Sequence, residues 1–201
     1  MKALRENIWQ EHAPRKPSLW HGLVFIALTV AGAYTHRFGW LPFEVGCISG
    51  FGAAVALEIV GAAWFGIWGI LAGMAASLLF NSLSMAWPWP VAVALLPAHL
   101  LRAGIICWAF RRFRADPRLN TSRDWYTWSF FGVLLATALG AASSTAALCL
   151  LDASSPAEYW PLFLGRFLSD AATTWVLGTI GLKFLSPLIV RTRAFCKGWF
   201  S

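Results

Sequence analysis

The chain is 201 residues long, 58% hydrophobic and only 12% charged, with thirteen tryptophans, a net charge of +7 and a mean hydropathy of +0.61. A soluble domain of this size has too little interior to hide so much apolar surface, which excludes an ordinary water-soluble globule. The positions of the cations exclude nucleic acid as the reason for the basic balance, because they gather where a membrane protein keeps its cytoplasmic loops.

The first nineteen residues carry Lys2, Arg5, Arg15 and Lys16 and two prolines, and they lead into an apolar run with no small-residue cleavage site. They read as a cytoplasmic arm, with an interfacial helix over 3–12, rather than a secretory signal. Apolar runs then follow at 20–36, 42–60, 63–83, 90–110, 126–150 and 161–189, each near the roughly 20 residues that a bilayer crossing needs. The predicted break between the second and third is Val60-Gly61-Ala62-Ala63. The outer connections are 36–41, 84–89 and 152–160. The one substantial polar interruption, Arg111 to Asp124, holds five arginines.

With six crossings, twelve of the sixteen Lys and Arg fall on one side, in the arm, the polar interruption and the tail 191–201; Arg37 alone falls in an opposite loop. That asymmetry puts both termini in the cytoplasm. Trp40, Trp87, Trp89 and Trp160 gather at the outer interface, and Trp20, Trp108, Trp125, Trp128 and Trp199 at the inner one. The expected fold is therefore all-α: a polytopic bundle of six transmembrane helices over 20–190, between an arm 1–19 and a basic tail 191–201.

Helices in lipid associate through close approach at small residues. Gly46-x3-Gly50, Gly69-x3-Gly73, Ala27-x3-Ala31 and Gly140-x3-Ser144 each place two small residues on one helical face. The second and third spans should form the tightest hairpin. Cys47, Cys107, Cys149 and Cys196 lack metal-ligand spacing and read as small apolar fillers, so no metal and no cofactor is expected.

Seven ionisable residues fall within the spans: Glu44, Glu58, His99, Arg102, Arg166, Asp170 and Lys183. Each costs roughly 2.5–3.5 kcal/mol to insert at a helix centre, so each needs a partner or a task. Glu58 and Lys183, near the inner ends of their spans, are expected to pair or snorkel. Arg166 and Asp170, at i and i+4, share a helix face with Thr173 close by, and either neutralise one another or face a polar ligand. His99 and Arg102 share a face after Pro97, which frees a backbone carbonyl where helices line cavities. The candidate ligand site is Glu44, His99, Arg102, Arg166, Asp170 and Thr173, converging in the outer half with Arg102 as its floor; the alternative is a closed internal network of ion pairs. No HExxH, GxSxG or Walker loop is present, and Ser143-Ser144 have no base nearby in sequence, so no enzymatic activity is expected.

Trp40-Leu41-Pro42 before a Gly-rich span, Trp64-Phe65-Gly66-Ile67-Trp68-Gly69 running to Asn81, Ala98-His99-Leu100-Leu101-Arg102 leading to Arg111-Arg112, and Phe167-Leu168-Ser169-Asp170-Ala171 resemble, in that order, the MASE1 group of bacterial membrane sensor domains. The resemblance implies a stimulus- or ligand-sensing module of the bacterial inner membrane, read by a signalling output protein, with Asp170 as a motif position. Members usually carry about eight spans, and the acidic residue often found in their fourth span is replaced here by the Arg102 region. Six spans, both ends inside, and Ala27-x3-Ala31 are also similar to the S component of energy-coupling-factor vitamin transporters. That resemblance implies a small-molecule pocket and coupling subunits as partners. A third reading is a non-catalytic membrane assembly protein.

Overall fold

The structure, a computed structural model, describes residues 19–38, 40–45, 48–84 and 88–200, and the side chains of these except 37–51 and 84. The arm 1–18, Gly46, Cys47 and Trp87 therefore lie outside the described residues. The chain is predominantly helical. Helix α1 runs Leu19–Phe38, α2 Ala53–Phe65 and α3 Ile67–Ser84; α4 spans Trp89–Arg112, α5 Ser122–Leu150 and α6 Pro156–Ile189. Four of these stretches, α1, α4, α5 and α6, are long and apolar enough to cross a membrane. Leu23, Ile26 and Val30 on α1, and Trp160, Phe184 and Leu188 on α6, point outward and are exposed, an arrangement suited to lipid and not to water.

The second apolar run departs from expectation. Its first half is not helix but an antiparallel pair, β1 (Trp40–Val45) and β2 (Ile48–Gly52), with Val45 opposite Ile48 and a register shift between Leu41 and Glu44. Pro42 and three glycines within eleven residues weaken helix there, and a proline is tolerated on a strand edge. Gly46 and Gly50 thus do not share a helix face, since Gly50 lies in β2. Helix α2 is only 13 residues long, a rise of about 20 Å, less than a bilayer core.

The break after α2 also moves. Val60 to Ala63 are inside the helix, and the chain turns at Gly66, with φ +59°. A side chain there would be strained by that φ and would collide with the Trp199 carbonyl oxygen. The expected α2–α3 hairpin forms: a Cβ on Gly69 would overlap the Gly61 carbonyl, so the two backbones touch. On α1, Gly32 admits Ala76 of α3, whereas Ala27 and Ala31 face outward.

Helices α5 and α6 each contain a π-helical stretch, Thr127–Leu135 and Thr174–Gly178. Between them Trp128 is fully buried, its ring against the bare α-carbons of Gly132 and Gly178 and its Nε1 donating to Thr179 Oγ1 at 2.9 Å. The α4–α5 connection is held by buried Asp124, which accepts from the backbone of Asp116 and Thr121 in a capping box.

The tail folds back. Ala194, Phe195 and Cys196 are buried; Cys196 N donates to Trp64 O, Ile67 N to Trp199 O, and Arg111 to the carbonyls of Cys196 and Gly198. Ser186 on α6 donates to Pro117 O. The α2–α3 turn, the Arg-rich α4–α5 connection and the basic tail consequently share one end of the bundle.

Candidate ligand site

At the opposite end, a cavity of about 610 Å³ lies among α1, α2, α3, α4, α5 and α6. Its position follows from local features. Helix α4 is interrupted at Leu95, two residues before Pro97, and the turn that follows carries His99 and Arg102 inward. The Gly140-x3-Ser144 face of α5 meets α4 and α6 through their side chains. It receives arginines: the α-carbon of Gly140 leaves room for the Arg102 guanidinium, and Ser144 Oγ accepts from Arg166 at 3.3 Å. On α3, Gly73 similarly makes room for Glu58.

The charges meet in a chain of contacts. Glu58 Oε2 stands 3.1 Å from His99 Nδ1 and 3.5 Å from Arg102 Nη1, and Arg102 Nη2 donates to Asp170 Oδ2 at 2.7 Å. The side chains of Glu58, Arg102 and His99 are 4%, 7% and 11% exposed, so water screens these pairs little. His36 adds an imidazole, stacked on Phe80 at 5.4 Å and edge-on to His99 at 6.4 Å between ring centroids. Asn81 donates to Ser77 O, while its buried Oδ1 accepts no hydrogen bond among the described residues.

Four of the expected site residues, His99, Arg102, Arg166 and Asp170, line this cavity. Their pairing differs from the sequence reading. Asp170 does not pair with Arg166 one turn away; it pairs with Arg102 from α4, and Arg166 makes no ion pair among the described residues. Glu58 is not with Lys183: α2 begins late, which lifts Glu58 to the level of His99, and Lys183 instead reaches the carbonyls of Arg118 and Leu119. Thr173 is fully buried and does not line the cavity, since three residues of helix carry it about 4.5 Å past Asp170. The side chain of Glu44 lies outside the described residues. Glu58 as a site residue, His36 and Asn81 were missed; the signal available was their placement within apolar runs, where a polar side chain needs a reason.

Among the described residues, no group of three His, Cys, Asp or Glu has metal-holding geometry. Ser144 Oγ donates to Ala141 O and accepts from Arg166, and neither bond involves a histidine. No family model matches the chain, and neither a curated protein nor a solved structure matches it. Chemically the site is a wet-sized recess with both signs of charge, a flat aromatic wall and several hydrogen-bonding groups, within the volume range of small-molecule pockets.

Proposed function

We propose that this chain is a multi-pass inner-membrane module that binds a small polar molecule in the cavity and signals through a partner protein. The observation that carries the reading is the convergence of Glu58, His99, Arg102, Arg166 and Asp170, from three helices, on one end of the bundle beside the cavity. A purely structural network would close on itself; this one leaves open volume beside Arg166, whose one hydrogen bond among the described residues is to a hydroxyl. The ordered likeness to the MASE1 group supports sensing as the task.

The orientation follows from charge. The Arg-rich connection and the basic tail share one end, which the positive-inside rule assigns to the cytoplasm. The cavity then belongs to the outer half. Helix α2 joins the two ends: Glu58 touches the cavity charges, and Trp64, about 9 Å further along, accepts from the tail at Cys196. A ligand that binds one packing of α2, α3 and α6 better than another shifts the tail, where a partner reads it.

The test is extraction of small molecules from the purified protein on denaturation, identified by mass spectrometry. A stoichiometric species lost from an Arg166→Gln/Asp170→Asn variant that still folds supports the reading; a folded wild-type protein that carries and binds none contradicts it. The outward-facing Ala27 and Ala31 on α1 favour a second reading, the substrate-binding subunit of a transporter. Co-purification with an ATPase pair and a membrane coupling protein would select it.

A further inference from the structure

The cavity residues discriminate between ligand classes. Both terminal nitrogens of Arg102 are committed, one facing Glu58 and the other bound to Asp170, while its Nε lies against Gly140, buried and without a hydrogen-bond partner among the described residues. Both described carboxylates of this cluster are likewise engaged, Glu58 by His99 and Arg102, Asp170 by Arg102. Arg166 is near enough to Asp170 to interact with it electrostatically but makes no ion-pair contact among the described residues. It lines the cavity, is half-buried, and among the described residues bonds only Ser144 Oγ, at 3.3 Å. A guanidinium has five N–H donors in a planar fork that matches a carboxylate or phosphate, so a partly desolvated one with a single hydroxyl partner is an incomplete ion pair. The same cavity is lined by the His36–Phe80 stack, which supplies a flat wall, and by Asn81, whose buried Oδ1 accepts no hydrogen bond among the described residues.

We infer that the ligand is a small organic anion whose carboxylate or phosphate is received by Arg166, with a flat, partly apolar body against His36 and Phe80. This inference rests on the ligand-binding reading above and adds the charge of what binds. It makes Arg166 the specificity residue, and Arg102 a positioning residue that takes the Asp170 carboxylate into its own ion pair. Without that pair, Asp170 would satisfy Arg166 from within the same helix and close the site to anions.

The test uses the full chain in phosphatidylcholine nanodiscs, with thermal unfolding followed by tryptophan fluorescence. The probes are benzoate, phenyl phosphate, benzamide and benzylamine, of like size and different charge; a parallel set of discs contains phosphatidylglycerol. Saturable stabilisation by benzoate or phenyl phosphate, absent with benzamide and benzylamine, is expected. Arg166→Gln should abolish it and Arg166→Lys weaken it at least about tenfold, since an ammonium lacks the fork. Lys183→Gln, which removes a cation that bonds carbonyls at the other end of the bundle, should retain it. Stabilisation by phosphatidylglycerol alone, lost in Arg166→Gln, supports the same chemistry with a lipid headgroup as its source. Stabilisation by benzylamine or benzamide with none by the anions overturns the anion class and leaves ligand binding standing, as does extraction of a neutral or cationic molecule from the native protein. Anion stabilisation undiminished in Arg166→Gln overturns the assignment of Arg166. No stabilisation by any probe or lipid, with nothing extracted, sinks the ligand-binding reading and this inference together.

Discussion

Arg102 on α4 and Asp170 on α6 are 68 residues apart in sequence and bond at 2.7 Å, guanidinium to carboxylate. The pair ties two long helices beside the cavity, and removing one partner strands a charge in a poorly screened site. Asp170→Ala should lower unfolding stability by about 3–5 kcal/mol. The double variant Arg102→Ala/Asp170→Ala should lose less than the sum of Arg102→Ala and Asp170→Ala, because the second substitution removes the charge that the first strands. Unfolding of the wild type and the single and double variants in detergent, compared as a mutant cycle, checks this; simple additivity would refute the pairing.

Glycines separate by what stands opposite them. Gly69→Ala forces a methyl onto the Gly61 carbonyl, which is backbone and cannot yield. It should cost about 1–3 kcal/mol and splay the α2–α3 hairpin. Gly104, in α4, has nothing within 4 Å of the place a methyl would occupy. Gly104→Ala should be neutral or stabilise by up to about 1 kcal/mol through helix propensity. Thermal unfolding of the two single variants tests the contrast.

Trp128 joins α5 to α6. Trp128→Ala should cost about 3–5 kcal/mol, from the cavity left between Gly132 and Gly178. Thr179→Val, which removes only the acceptor of the 2.9 Å indole bond, should cost about 1 kcal/mol. Chemical unfolding of both variants measures the two losses; equal losses would mean that the hydrogen bond, not the packing, dominates.

Cys196 reports on the tail. Burial raises its thiol pKa to about 11, with nearby Arg111 acting in the opposite sense. At pH 8 only about a thousandth is thiolate, so maleimide labelling should be slow and rise about tenfold per pH unit towards pH 11. In Arg111→Ala the lost cation alone would slow labelling further. Release of the tail from burial, the larger effect, should win, and labelling at pH 8 should accelerate. Mass spectrometry of timed reactions gives the rates; an unchanged or slower rate would mean that Arg111 does not clamp the tail.

Much of the helical order was legible because 18 or more apolar residues in a row admit few other readings. The loop from Arg111 to Asp124 and the α5–α6 connection near Asp152 fall where charge and proline put them. The region from Trp40 to Gly52 was not legible as a strand pair: an apolar run with glycines gives no period that separates buried helix from strand. The error propagated, because a helix starting at 42 puts Glu58 near the inner end, whereas one starting at Ala53 puts it beside His99. Spacing on a single helix suggested that Arg166 and Asp170 face the same way, but not that Arg102 would reach Asp170 first. Long-range pairing of that kind depends on how α4 and α6 cross, which no local pattern encodes.

The proposed orientation puts the Arg-rich end in the cytoplasm and turns the cavity end outward. In a cysteine-free variant, a single thiol at Asn120, exposed in the α4–α5 connection, or at Ala157, exposed at the start of α6, reports the side directly. Intact cells are treated with a membrane-impermeant maleimide, before and after lysis. Ala157→Cys should label in intact cells and Asn120→Cys only after lysis. Labelling of Asn120→Cys from outside, with Ala157→Cys protected until lysis, would contradict that orientation.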